Sequence, residues 1–222
     1  MTADSEHLPA DNVKRFDAAA ADWEEQPQRV ALARKVAEAI RQAIPLAKTM
    51  RVLEYGCGTG MVSRTLSPQV KTIMAVDTSP RMLEVLRQKA GEEKIGNIET
   101  RAHDLTRKPL PDNDFDLVIS SMTLHHIPDF EALLHRFLAL LKPEGYLAVA
   151  DLVTEDGSFH EDGSGVAHHG IDPEAVRAIL KKYGGREIGV QEIHVIEKPQ
   201  KDGATVRKYP VFLAWCRKGK QR

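Results

Sequence analysis

The chain has 222 residues, 42% of them hydrophobic and 28% charged, with a net charge of -1. That supplies enough apolar side chain for one sizeable core, and so even a charge balance gives no field to attract nucleic acid or an anionic membrane. The two cysteines, Cys57 and Cys216, lie far apart without C-x-x-C spacing, which argues for a reducing compartment and against a disulfide framework or a zinc site.

The opening "MTADSEHLPADNVKRF" is polar and acidic and lacks the apolar segment of a secretory signal. No apolar run approaches the roughly 20 residues of a membrane span, so a cytoplasmic protein is expected. The first ten or so residues read as loose. From Gln28 to Ile44, Val30, Ala33, Val36, Ala37, Ile40 and Ile44 fall on one helical face, and Pro45 ends the helix. "MRVLEYGCGTG" is a short strand running into glycines. A brief helix at "SRTL" follows, then a second strand, "TIMAVD". Ser79 and Pro80 signal the start of the helix "RMLEVLRQKA". "IETRAHDL" reads as a third strand, and "FDLVISSM", apolar almost throughout, as a fourth one covered on both faces. The helix "DFEALLHRFLALL", the strand "GYLAVADL" and the helix "EAVRAILKKY" come next. The last is started by Asp172 and Pro173 and closed by Gly184. Two strand-like runs, "EIGVQEIHVIE" and "YPVFLAWCRKG", finish the pattern, and the basic residues Arg217, Lys218, Lys220 and Arg222 read as a solvated tail. Alternating strands and helices predict an α/β fold, a parallel sheet with helices on both faces. The last two strands, with no helix between them, predict an antiparallel hairpin at one edge.

"VLEYGCGTG", Val52 to Gly60, is the most informative stretch. A strand ends at Tyr55, and Gly56, Gly58 and Gly60 alternate through the turn, permitting positive φ and close approach of a ligand to the backbone. Asp77 ends the next strand about 20 residues later, where a carboxylate can accept both hydroxyls of a ribose. A dinucleotide fingerprint would want glycine at position 61, which is Met61, and the Gly-Lys-Ser/Thr of a P-loop is absent. Glu54, two residues before the first glycine, suits a cationic ligand better than a pyrophosphate. A ligand with ribose, adenine and an ammonium but no phosphate is S-adenosylmethionine (SAM).

With "AVDTSPRML", "AHDL", "FDLVISSMTLHHIPD" and "LKPEGYLAVAD", this stretch resembles the class I SAM-dependent methyltransferases. The nearest resemblance is to the small-molecule branch of ubiquinone/menaquinone-biosynthesis type, the methyltransferase type 11 domain, and the motifs cover Val52 to Asp151. The resemblance implies a Rossmann-like, doubly wound seven-stranded sheet of order 3-2-1-4-5-7-6 with strand 7 antiparallel. It also implies a single domain in which residues 1–45 form an N-terminal helical cap on a core of 46–222. Carried over by motif, Glu54, Gly56, Gly58 and Gly60 would line the methionine end of SAM and Asp77 would hold the ribose. Thr78 and Met82 would lie near the adenine, Asp104 with the Leu105 backbone beside its amino group, and Ser120 near the sulfonium. Phe16 and Trp23, in "FDAAAADWEEQP", would fold over the cofactor from the cap or staple the cap to the core.

Methyl transfer from a sulfonium is mainly a matter of alignment and exclusion of water. A base is needed only where the acceptor must lose a proton. His125 and His126 stand after the fourth strand, at the edge of the sheet where ligands bind, and are candidates. So are His168 and His169 in "FHEDGSGVAHHG", a glycine-rich loop leaving the same edge, read as a lid over the acceptor. That loop lacks recognisable metal-ligand spacing, and no metal is expected. The chain lacks an Asn/Asp-Pro-Pro-Tyr/Phe motif after the fourth strand, which argues against methylation of a DNA base or a glutamine. The expected partner is a small-molecule methyl acceptor, with no nucleic acid and no membrane; oligomeric state and acceptor identity stay open. Two other readings are a SAM-binding or partner subunit without catalysis, and a nicotinamide oxidoreductase, against which Met61 speaks.

Overall fold

In a computed structural model, which describes residues 8–160, 165–199 and 205–220, seven strands form one sheet in the order β3-β2-β1-β4-β5-β7-β6. The strands are β1 Arg51–Tyr55, β2 Thr72–Asp77, β3 Ile98–Ala102, β4 Phe115–Ser121, β5 Leu141–Leu152, β6 Gly185–Pro199 and β7 Val206–Lys218. β3, β2, β1, β4 and β5 pair in parallel, whereas β7 is antiparallel to both β5 and β6. The expected strand order and closing hairpin are therefore present.

Successive side chains of a strand point to opposite faces, and the core divides accordingly. Leu53, Val118, Leu147 and Val149 pack on one face against Leu134 and Phe137 of α5 (Phe130–Leu140) and Val176 and Leu180 of α6 (Pro173–Lys182). Val52, Leu117, Ile119 and Ala148 face the other way, against Val36, Ala37 and Ile40 of α2 (Pro27–Ala43). These strand residues are at most 1% exposed, so truncating one such leucine to alanine costs about 2–5 kcal/mol.

The cap departs from the reading of the sequence. Phe16 lies within a helix, α1 (Leu8–Ala19), where the sequence pattern predicts none and only its first three residues fall in the expected loose start, and a 3-10 turn at Trp23–Glu25 joins α1 to α2. The periodic signal missed α1 because the side that rests on the protein is not an apolar stripe: polar Asn12 is its buried residue among those described, while Asp11, Lys14 and Arg15 are exposed. Polar contacts dock it instead. Asp17 Oδ1 accepts from Ser79 Oγ at 2.5 Å and from the Arg81 amide at 3.1 Å, at the start of α4 (Pro80–Glu92). Asn12 Nδ2 donates to the Gly165 carbonyl at 2.9 Å. α1 is thereby held across the carboxyl edge of the sheet. Residues 1–7 and 161–164, which include part of the expected lid (Gly163 among them), lie outside the described residues, as does Arg222 of the basic tail. Among the described residues no helix is long and apolar enough to cross a membrane.

Candidate active site

The carboxyl ends of β1, β2 and β4 open into a cavity of about 1160 Å³, roofed by α1, the 3-10 turn and the start of α2. Small-molecule pockets usually enclose about 300–1,000 Å³, so there is room for a cofactor and a second molecule.

At one end the glycine turn makes a cradle. Gly56, Gly58 and Gly60 all have positive φ, of 70°, 54° and 75°. A Cβ on Gly56 would lie 2.1 Å from Thr123 Oγ1, so the loop closes only around hydrogen there. Asp77 Oδ2 accepts the Gly58 amide at 2.8 Å and Oδ1 the Ser79 amide at 2.8 Å, tying the tip of β2 to the turn. Burial pushes the Asp77 pKa up, against these amide bonds. Glu54, 2% exposed, accepts a bond from the Ser63 hydroxyl. Burial, with the Asp77 charge adding to it, raises the Glu54 pKa to about 7. No cation pairs with Glu54 among the described residues. A buried carboxyl at a cavity wall without a counter-ion is a site built for a cationic group. Asp104 Oδ1 accepts the Thr106 amide at 2.8 Å and hydroxyl at 2.6 Å, and its residue also lines the cavity. Burial pushes the Cys57 thiol well up, so it is not a poised nucleophile.

The other end carries imidazoles. A 3-10 turn at Leu124–His126 follows β4 and turns His125 and His126 inward. His125, 2% exposed, donates from Nδ1 to Asp151 Oδ1 at 2.6 Å; Asp151, at the end of β5, is 0% exposed. The Asp151 carboxylate also accepts the Leu152 amide at 2.7 Å and the His125 amide at 3.3 Å. Burial opposes its charge, but the His125 ring and these donors outweigh that and hold its pKa below the usual carboxylate value. With Nδ1 committed as donor, the nitrogen of His125 left to exchange a proton is Nε2. His126 Nδ1 donates to the Gly165 carbonyl at 2.6 Å, and burial, together with its neighbour His125, lowers its pKa to about 3. His126 is therefore a neutral hydrogen-bonding group throughout the physiological range. His160 completes the cluster, its ring 5.2 Å from that of His125. One ring nitrogen from each of the three lies within 4.8 Å of the others, a donor set that a divalent cation could also use.

Among the residues expected from sequence, Phe16, Trp23, Glu54, Gly56, Gly58, Asp77, Thr78, Met82, Asp104, His125 and His126 line the cavity, and five do not. Gly60 caps α3 (Met61–Leu66), against Leu86. Leu105 is 1% exposed in the core. Ser120, also 1% exposed, donates to the Tyr55 carbonyl at 3.0 Å and stitches β4 to β1. His168 Nε2 donates to the Ile127 and Pro128 carbonyls, each at 3.1 Å, and packs edge-on against Phe130. His169 lies outward, 56% exposed, with Nδ1 3.9 Å from Glu155. The described end of the expected lid is strapped down, because the His125 carbonyl accepts the Ala167 and His168 amides at 2.9 and 3.0 Å. Phe159 and His160, from the same loop, turn inward instead. The reading of the sequence assigned no role to Asp151, His160 or Arg29. Asp151 stood in plain view at the end of "LAVAD", but only the paired strands show that it meets His125.

A doubly wound sheet with strand 7 reversed, a glycine cradle with an acid at the tip of the next strand, and a cavity over the switch from β1 to β4 define a cofactor-binding α/β protein. The comparisons with known proteins narrow the class. Residues 53–149 match the family model of a methyltransferase domain, Methyltransf_11, so the resemblance read from the motifs holds over that stretch. The chain is 35% identical over 147 residues to an uncharacterized methyltransferase of Schizosaccharomyces pombe, covering 60% of this chain and 52% of that one. It is 33% identical over 108 residues to the demethylmenaquinone methyltransferase of Listeria welshimeri, covering 47% and 45%. The chain thus spans about half the length of the curated relatives it matches. Its fold is that of DhpI, solved with S-adenosylhomocysteine (SAH), with a TM-score of 0.74 at 24% identity over 98% of this chain and 100% of that one.

Proposed function

We propose that this chain is a SAM-dependent methyltransferase, a single domain with residues 1–45 as its cap, that methylates a small molecule. The observation that carries the reading is one cavity with a cationic-ligand cradle at one end and an oriented histidine at the other. Glu54 would take the ammonium of the methionine moiety and Asp77 the ribose hydroxyls. The turn from Gly56 to Gly58 gives the backbone room, and Thr78, Met82 and Asp104 would border the adenine. The match of residues 53–149 to a methyltransferase domain and the SAH complex of DhpI support the cofactor. The similarity to a demethylmenaquinone methyltransferase supports a small-molecule acceptor.

When bound, the cofactor supplies an electrophilic methyl group on a positively charged sulfur. The chain's own residues hold the acceptor in line and take its proton. As the acceptor's bond to the methyl carbon forms and the carbon–sulfur bond breaks to leave SAH, His125 Nε2 would accept the proton the acceptor loses, and Asp151 would hold the ring and stabilise the imidazolium. His126 and His160 offer hydrogen bonds beside it, and the cap excludes water. No metal takes part in this reading, so turnover is expected to be unaffected by EDTA.

Calorimetry is expected to show micromolar or tighter binding of SAM and SAH and none of NAD; failure of both adenosyl ligands to bind would end the reading. A tritiated-methyl screen over small-molecule acceptors then separates an enzyme from a SAM-binding subunit without catalysis.

A further inference from the structure

The charges lining the cavity are unevenly placed. Its carboxylates are Glu54, Asp77 and Asp104 at the cofactor end and Asp129, whose Oδ1 accepts the Ala132 amide at 2.9 Å as the cap of α5. Arg107, 3.5 Å from Asp104, and Arg136, which donates to the Leu105 carbonyl, bring cations to the carboxylate side of the cavity, where each is engaged. The wall made by α1, α2 and β6 contributes Arg15, Arg29 and Lys198 and no carboxylate among the described residues.

Arg29 is the telling member. Its guanidinium lies 3.7 Å over the Trp23 ring and donates one bond, at 3.3 Å, to the Trp23 carbonyl. No carboxylate pairs with it among the described residues, and burial together with the neighbouring Arg15 charge pushes its pKa down. The molecule treats Arg64 in the opposite way: that side chain, 10% exposed, is paired with both Glu24 and Glu93. Glu24 adjoins Trp23 in sequence, yet it points to Arg64 and Lys89 and leaves Arg29 without an acid. A half-buried guanidinium next to another cation, stacked flat on an indole and keeping most of its five donors, is pre-organised for an oxyanion. The stack also covers one face of Trp23 with a cation, so that face is closed to a sulfonium. From Trp23 the rings of Phe16 and His126 continue toward His125, at centroid spacings of 5.7, 5.3 and 4.1 Å, so Arg29 and the base stand at two ends of one aromatic row.

We propose that the methyl acceptor is an anionic small molecule, carrying a carboxylate, phosphate or phosphonate that Arg29 grips while another part of the molecule meets His125. The inference rests on the methyltransferase reading for the word acceptor, but the anion site stands on Arg29 alone. An anion there would gain two or more charge-assisted bonds and relieve the repulsion between Arg29 and Arg15. A neutral isostere would leave the guanidinium dry and unpaired, which gives the discrimination its size.

The test is calorimetry on the full chain. SAH is titrated first, which reports on the methyltransferase reading by itself. The SAH-loaded protein, and in parallel the cofactor-free protein, is then titrated with 4-hydroxybenzoate, phenyl phosphate and phenylphosphonate, and with 4-hydroxybenzamide as the neutral partner. At least one anion is expected to bind about 10- to 100-fold more tightly than the amide, and less tightly as salt is raised. Arg29→Gln is expected to abolish that preference, and Arg29→Lys to restore part of it, while SAH affinity in both stays within about twofold of the parent and confirms folding. Arg29-dependent anion binding without SAH binding would keep the anion site and remove the methyltransferase reading. Equal binding of anion and amide, binding by no anion of the panel, or an anion preference that survives Arg29→Gln would each overturn the proposal.

Discussion

The two ends of the cavity are built in opposite ways. The cofactor end is made of neighbours in sequence: Glu54 to Gly60 form one turn, and Asp77 closes the strand beside it. The histidine end gathers Phe16, Trp23, Arg29, His125, Asp151 and His160 from six separate segments, held by contacts that span up to 153 residues. Their charges differ as well: among the described residues Glu54 and Asp77 are buried without a cation partner at the first end, and Arg29 is half-buried without an acid partner at the second. Local construction suits a ligand that many proteins share, since a turn carries the whole recipe. Assembled construction lets the acceptor end change residue by residue while the sheet stays fixed.

Substitutions at the two ends should separate affinity from turnover. The largest effect is expected from Asp151→Asn, which removes the charge that stabilises the His125 imidazolium and sets an amide NH2 in competition for the ring nitrogen that fixes its tautomer. It and His125→Gln should each lower kcat by about a hundred- to ten-thousand-fold, with SAH affinity held within about twofold. Single-turnover kinetics beside SAH calorimetry measures both quantities, and a matching loss of SAH affinity would merge the two ends into one. Glu54→Gln should do the converse, weakening SAM and SAH by about 10- to 100-fold, because the buried amide cannot neutralise an ammonium.

Gly56→Ala is expected to cost about 1–3 kcal/mol, a fall in Tm of roughly 3–10 °C, since it pairs a positive φ with a Cβ driven into Thr123. Thermal melts check it, and an unchanged Tm would mean that the cradle is not rigid. A subtler effect is protonic. The Glu54 pKa, raised from 4.5 to about 7, adds stability to the cofactor-free protein that is complete below about pH 4.5 and is lost as pH rises through about 7. A bound ammonium favours the carboxylate, so SAH binding near pH 6.5 should release a fraction of a proton. Calorimetry in buffers of different ionisation enthalpy reads that release, and Glu54→Gln should abolish it. The smallest effect is expected from the double variant His168→Ala, His169→Ala, which should leave kcat within about twofold, because neither ring lines the cavity. A large loss of turnover would show that the strapped loop opens during catalysis.

The sequence by itself determined the sheet and the cofactor end. Period-two apolar runs place strands and their faces, and a glycine turn followed by an acid at the next strand tip needs no distant contact to be legible. Ser120 was placed at the site by motif, but the alternation of β4 turned its side chain into the core, a choice of face that one residue of register decides. α1 escaped notice because polar contacts through Asn12 and Asp17 hold it, where an apolar stripe would have left a period. Which histidine of a histidine-rich loop would matter was decided by tertiary structure alone. His160 enters the cavity and His168 and His169 do not, because the His125 carbonyl ties down the backbone at residues 167 and 168 and backbone carbonyls claim the His168 ring. The same holds for the pairing of His125 with Asp151. It is a contact across parallel strands, set by sheet register and β4–β5 adjacency, and spacing along the chain carries no trace of it.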